Sequence, residues 1–153
     1  MTEKYKIYVG ADYRGYQMKT EVIRQLNGHH DFVEVIDKGC DSEEPNSYND
    51  YAIAVAREVK KDKHSFGVLI CGSGHGMTIQ ANRFRGIRAC SCPTVESAKL
   101  AREHENANIL CLASDFVQPE DLPHILYTFF HTEYPELTRR DARIRRLDEE
   151  EYD

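Results

Sequence analysis

Apolar positions along the chain fall into two alternating kinds. Short, dense runs occupy residues 6–10, 32–37, 66–70, 86–90 and 107–112, and several are continuous, as in Ile109-Leu110-Cys111-Leu112. Such runs predict strands covered on both faces. Between them, residues 17–26, 51–60, 77–84, 95–104 and 122–131 place apolar side chains at helical spacing, for example Val22, Ile23 and Leu26, or Ile53, Val55, Ala56 and Val59. Strand and helix in five short cycles predict an α/β fold: one doubly wound, Rossmann-like parallel sheet of five strands, with right-handed crossovers and helices on both faces. Ligands bind at the carboxyl ends of such strands, where Asp12, Cys71 and Cys90 fall.

Residues 38–49, with Gly39 and Pro45, form the one long loop, and no repeat or low-complexity linker interrupts the pattern. From Thr138 the chain becomes highly charged, with Arg139, Arg140, Arg143, Arg145 and Arg146 ahead of an acidic end. This predicts a C-terminal helical tail on which Arg139 and Arg143 share a face. The 153 residues, 41% hydrophobic and 30% charged, suit a single domain over 1–153. No apolar run approaches the roughly 18 residues of a membrane span, and Met1-Thr2-Glu3-Lys4 leads directly into the first strand rather than into a signal-peptide core. A cytoplasmic protein is expected, with no membrane partner. Five cysteines, an odd number without a C-x-x-C pair, point to reduced thiols rather than to disulfides or a zinc site. A net charge of -6 disfavours nonspecific binding to nucleic acid.

The candidate chemistry lies in residues 66–76, where the apolar run Phe66-Gly67-Val68-Leu69-Ile70 ends in Cys71 and then Gly72, Ser73, Gly74, His75 and Gly76. Three alternate glycines let the backbone come close to a ligand, and a following helix would aim unpaired N–H groups at it. The same groups favour a thiolate at Cys71. A phosphatase loop would also hold a thiolate among amides, but that chemistry wants Cys-x5-Arg, and the sixth residue after Cys71 is Met77.

The motifs resemble those of the type B ribose-5-phosphate isomerases and the related galactose-6-phosphate isomerase subunits. The likeness is carried by Gly10-Ala11-Asp12, Ser47-Tyr48-Asn49-Asp50-Tyr51-Ala52, Ile70-Cys71-Gly72-Ser73-Gly74-His75-Gly76-Met77, Ala81-Asn82, Gly86-Ile87-Arg88-Ala89 and Ala101-Arg102-Glu103-His104. It implies an aldose-ketose isomerase without metal or cofactor, acting on a small sugar phosphate, ribose 5-phosphate and ribulose 5-phosphate first. By this resemblance Cys71 is the base that moves a proton between C1 and C2, and His104 opens the sugar ring. Asp12, Tyr13, Tyr48 and Glu105 stand at substrate-binding positions, the segment from Gly72 to Gly76 cradles the oxyanion, and Arg139 with Arg143 clamps the phosphate. A homodimer or dimer of dimers, with sites shared between subunits, is likewise implied.

Three positions depart from the family pattern. A phosphate-binding histidine is replaced by Tyr13, the asparagine after the catalytic histidine by Glu105, and an arginine after the fifth strand by Asp115, whose charge is expected to repel a phosphate. They leave two alternatives open: another substrate, such as galactose 6-phosphate or a four-carbon sugar phosphate, with a relocated phosphate using Arg14 or Arg140, or a non-catalytic paralogue that only binds a sugar phosphate. Without the resemblance, Asp12 reads as a helix cap, His104 as a solvated helix end, His75 as a surface loop residue, and the arginines as a solvated face.

Overall fold

The computed structural model describes residues 5–29 and 33–149. Five strands, β1 (Tyr5–Ala11), β2 (Val33–Asp37), β3 (Ser65–Cys71), β4 (Ala89–Ser91) and β5 (Ile109–Ala113), form one sheet in the order β2-β1-β3-β5-β4. Every pairing is parallel. The expected strand position Phe32 lies outside the described residues.

Helices α1 (Tyr16–His29), α4 (Val95–Glu105) and α5 (Leu122–His131) cover one face of the sheet, and α2 (Tyr48–Lys61) and α3 (His75–Ala81) cover the other. Side-chain alternation along the strands builds both cores. Val68 and Ile70 of β3 point to the α1 side with Val22, Leu26 and Phe129, whereas Leu69 and Cys71 point to the α2 side with Val55, Ala56 and Met77. The chain leaves β1 in one direction to reach β2 and returns past β1 to β3. Helices α1 and α2 therefore diverge on opposite faces and open a crevice above the carboxyl ends of β1 and β3, where ligands bind in such sheets.

Several element ends differ from the hydrophobic pattern: α2 begins at Tyr48, inside the loop expected over 38–49, because Ser47 caps it through the Asn49 N–H. The fourth strand begins at Ala89 instead of residue 86, because Gly86 takes a left-handed φ of +87° and Ile87 donates its N–H back to Phe84, closing a turn. Ile87 is buried without being part of a strand. Helix α3 starts two residues earlier than its apolar spacing predicts, since Gly74, with φ +79°, turns the chain sharply at its N-cap. The charged tail is helical, α6 (Thr138–Glu149), and has no buried residue. No helix among the described residues is long and apolar enough to cross a membrane.

Candidate active site at the carboxyl edge of the sheet

Cys71 is the last residue of β3 and is only 5% exposed. Its carbonyl accepts the Ser114 N–H at 2.9 Å, and the next carbonyl, of Gly72, accepts the Asp115 N–H at 3.0 Å. The backbone beyond β5 thus runs alongside the glycine loop and delivers Asp115 next to Gly72. On the other side, β1 is followed directly by Asp12, whose N–H reaches the Ile70 carbonyl at 3.2 Å. The Asp12 carboxylate is 6% exposed and accepts the N–H groups of Arg14 and Gly15 at 3.0 and 3.1 Å. Burial pushes its pKa above the ordinary carboxylate value, against the two amides, which favour the charged form.

Close approach explains the glycines. A Cβ on Gly15 would lie 2.5 Å from the Ile70 carbonyl oxygen, so only glycine lets the turn after β1 pack on β3. A Cβ on Gly72 would meet the Arg14 guanidinium at 2.6–2.8 Å, and one on Gly76 the Tyr48 ring at 2.7–2.9 Å. The loop is therefore lidded by two side chains, the Arg14 cation over Gly72 and the Tyr48 phenol over Gly76. Tyr48 is placed by the start of α2, which Ser47 caps through the Asn49 N–H and which Asn49 ties to Gln80 of α3 at 2.8 Å. Helix α3 makes its first intrahelical bond from Thr78 to Gly74, which leaves the N–H groups of His75, Gly76 and Met77 without an intrahelical acceptor. The His75 N–H turns to Ser73 Oγ at 3.3 Å, and its side chain is exposed. Tyr13 is half-buried, its N–H bound to Asn46 Oδ1 at 3.0 Å.

The structure thus gathers Asp12, Tyr13, Tyr48, Cys71, Gly72, Ser73, Gly74, His75 and Gly76 at one edge of the sheet. Four other candidates lie elsewhere in the same chain. His104 and Glu105 end α4, both exposed, below the start of β5. Cys71 pairs with Ala113 and Gly67 with Ile109, so four residues of strand, roughly 13 Å at 3.3 Å each, separate their levels. Arg139 and Arg143 are exposed on α6, which is held at the end of α4 by Arg140 donating to the Glu103 carbonyl and by Asp148 accepting the Gly86 N–H.

A profile of the ribose/galactose isomerases matches residues 7–147. The chain belongs to the ribose/galactose isomerase family. Ribose-5-phosphate isomerase B of Escherichia coli (strain K12) is 40% identical over 129 residues, 84% of this chain and 85% of that protein. The structure of type B ribose 5-phosphate isomerase from Trypanosoma brucei superposes with a TM-score of 0.91 at 35% identity, covering 95% of this chain and 97% of that one. Ribose-5-phosphate isomerase B from Mycoplasma genitalium, solved with bound ribulose-5-phosphate, gives a TM-score of 0.88 at 32% identity, with 95% of each chain covered.

For a ribose/galactose isomerase, Asp115 changes meaning once the structure is seen. It forms an ion pair with Arg14, so the charge expected to repel a phosphate has a cation beside it within the site. Arg14 entered the sequence reading only as an alternative phosphate contact, and Ser114 and Asn46 not at all.

Proposed function

We propose that this protein is an aldose-ketose isomerase interconverting ribose 5-phosphate and ribulose 5-phosphate. The observation that carries the proposal is Cys71, delivered by the central strand β3 to a glycine loop at the point where the sheet's connections diverge. Family membership and a relative solved with ribulose-5-phosphate support the same reaction.

Isomerisation needs one base that takes a proton from C2 and returns it to C1. Cys71 is the group placed to do this, its deprotonated sulfur taking the proton and returning it. Charge that develops on oxygen in the enediolate falls within reach of the amides at the start of α3, each such donor contributing about 3 kcal/mol to the transition state. Tyr48 and Asp12 flank the loop and accept or donate hydrogen bonds to sugar hydroxyls. His104, together with Arg139 and Arg143, comes from a second copy of the chain, because within one chain they lie at the opposite edge of the sheet. In that role the imidazole passes the ring-opening proton between ring oxygen and hydroxyl.

The test is ketose formation from ribose 5-phosphate by the wild type and by Cys71→Ala. Removal of a general base should lower kcat by a factor on the order of a thousand, with substrate binding largely kept. Equal rates would remove the thiol from the mechanism. A panel including galactose 6-phosphate and four-carbon aldose phosphates, assayed in parallel, identifies the preferred sugar.

A further inference from the structure

Arg14 and Asp115 meet across the mouth of the site, on segments that follow β1 and β5. The Arg14 guanidinium lies against Gly72, directly after the catalytic position, and pairs with the Asp115 carboxylate. Its backbone is fixed at both ends: the Arg14 N–H binds Asp12 Oδ1, and the Arg14 carbonyl accepts the Ser114 hydroxyl at 3.1 Å, a hydroxyl that also lies 3.3 Å from the Cys71 carbonyl oxygen. Both charged side chains remain about half exposed, at 51% and 43%. They open onto a cavity of about 660 Å³ that Tyr13, Gln17 and Ser114 also line, together with Glu21 and Glu43, whose carboxylates accept from Arg24 and Gln17 respectively.

We propose that Arg14 is the residue of this subunit that binds the substrate's terminal phosphate, and that Asp115 acts as its resident counter-anion, displaced when the phosphate enters. The inference rests on the isomerase reading above and names how that site selects a phosphorylated sugar. A planar guanidinium presents paired N–H donors matched to phosphate oxygens. Held over Gly72, it lies one residue from the thiol, with the cavity beside it to receive the far end of a short sugar. Solvent-exposed ion pairs contribute little stability, so a doubly charged phosphate competes effectively for the same donors. Asp115 has a cost and a use. It lowers phosphate affinity by repulsion, and it holds the guanidinium over the glycine loop while the site is empty.

The experiment compares Arg14→Gln, Arg14→Lys and Asp115→Asn with the wild type in KM and kcat for ribose 5-phosphate and in inhibition by inorganic phosphate. Loss of a charge-assisted contact corresponds to a rise in KM on the order of tenfold to a hundredfold in Arg14→Gln. Phosphate inhibition should weaken in parallel, kcat should change far less, and lysine should recover part of the loss. Asp115→Asn should lower KM and strengthen phosphate inhibition, since the repulsion is gone. Unchanged far-ultraviolet circular dichroism and an unchanged rate of Cys71 alkylation without ligand show that the loop is intact in each variant. An active wild type whose KM and phosphate inhibition are indifferent to Arg14→Gln overturns this inference alone. A wild type inert on every aldose phosphate overturns the isomerase reading, and this inference with it.

Discussion

At the scale of single residues, burial sorts the cysteines. Cys92 and Cys111 are buried and Cys90 is partly buried, and loss of hydration raises all three pKa values, Cys92 to about 12, with Glu105 adding to the rise at Cys90. A raised pKa keeps sulfur as the unreactive thiol throughout the neutral and mildly alkaline range. Iodoacetamide at mildly alkaline pH should therefore modify Cys71 and spare those three, with ribose 5-phosphate slowing the modification of Cys71. Peptide mass spectrometry of a time course reads this, and labelling of Cys92 or Cys111 as fast as Cys71 would refute it. Cys71 and its glycines were legible in the sequence because they form one contiguous signal of an apolar run ended by small residues. Arg14 was hardly legible. Its partner Asp115 is 101 positions away, and nothing local in either segment announces the pair.

Among elements, the alternation of dense runs with helical spacing was enough to locate the five strands and the five helices between and after them, though not all their ends, since burial on two faces leaves a strong apolar signal. It failed at the start of β4, where an apolar Ile87 lies in a turn and the strand is three residues long, and where the side chains of Asn82, Arg88 and Asn108 help define the path. The Arg88 N–H donates to Asn108 Oδ1 at 2.8 Å, and the Asn108 side-chain amide to the Gly86 carbonyl at 2.9 Å. A neighbouring arginine fixes the end of α4. Arg102, 8% exposed, donates to the carbonyls of Thr132 and Ala107 and to Asn106 Oδ1, with its guanidinium 5.0 Å from the Phe66 ring and 5.7 Å from that of Phe129. Burial lowers its pKa to about 10, which still leaves it charged at neutral pH. Arg102 thereby ties the helix that carries His104 to the end of α5. Arg102→Ala leaves buried acceptors unmet and should cost about 2–4 kcal/mol of stability. Urea unfolding measures that loss, and a change within about 0.5 kcal/mol, typical of a surface substitution, would contradict it.

On the proposed reading, the whole molecule carries two half-sites on opposite edges of one sheet. Cys71, the glycine loop, Asp12 and Arg14 stand at the carboxyl edge, and His104, Glu105, Arg139 and Arg143 at the other, on α4 and α6. Sequence order cannot reveal this split, because β5 and the residues before it read as one continuous motif although they traverse the full height of the sheet. A parallel sheet is stiff, so no rearrangement within one chain brings His104 to Cys71 while the strand pairing survives. The two halves can meet only if a second copy packs with its α4 end against the first copy's glycine loop. That geometry makes inactive variants complementary. In a mixed dimer of Cys71→Ala and His104→Ala subunits, one site inherits both substitutions and the other inherits neither. Each variant alone should be nearly inactive on ribose 5-phosphate. Unfolding the two together and refolding the mixture should restore a substantial fraction of wild-type turnover, while mixing without unfolding should restore it only as fast as subunits exchange. If both residues served the same subunit, no mixture would contain an intact pair and activity would stay at the level of the separate variants. Recovery of activity therefore decides between a site shared across two chains and one contained in a single chain, and it does so without depending on which sugar phosphate is preferred.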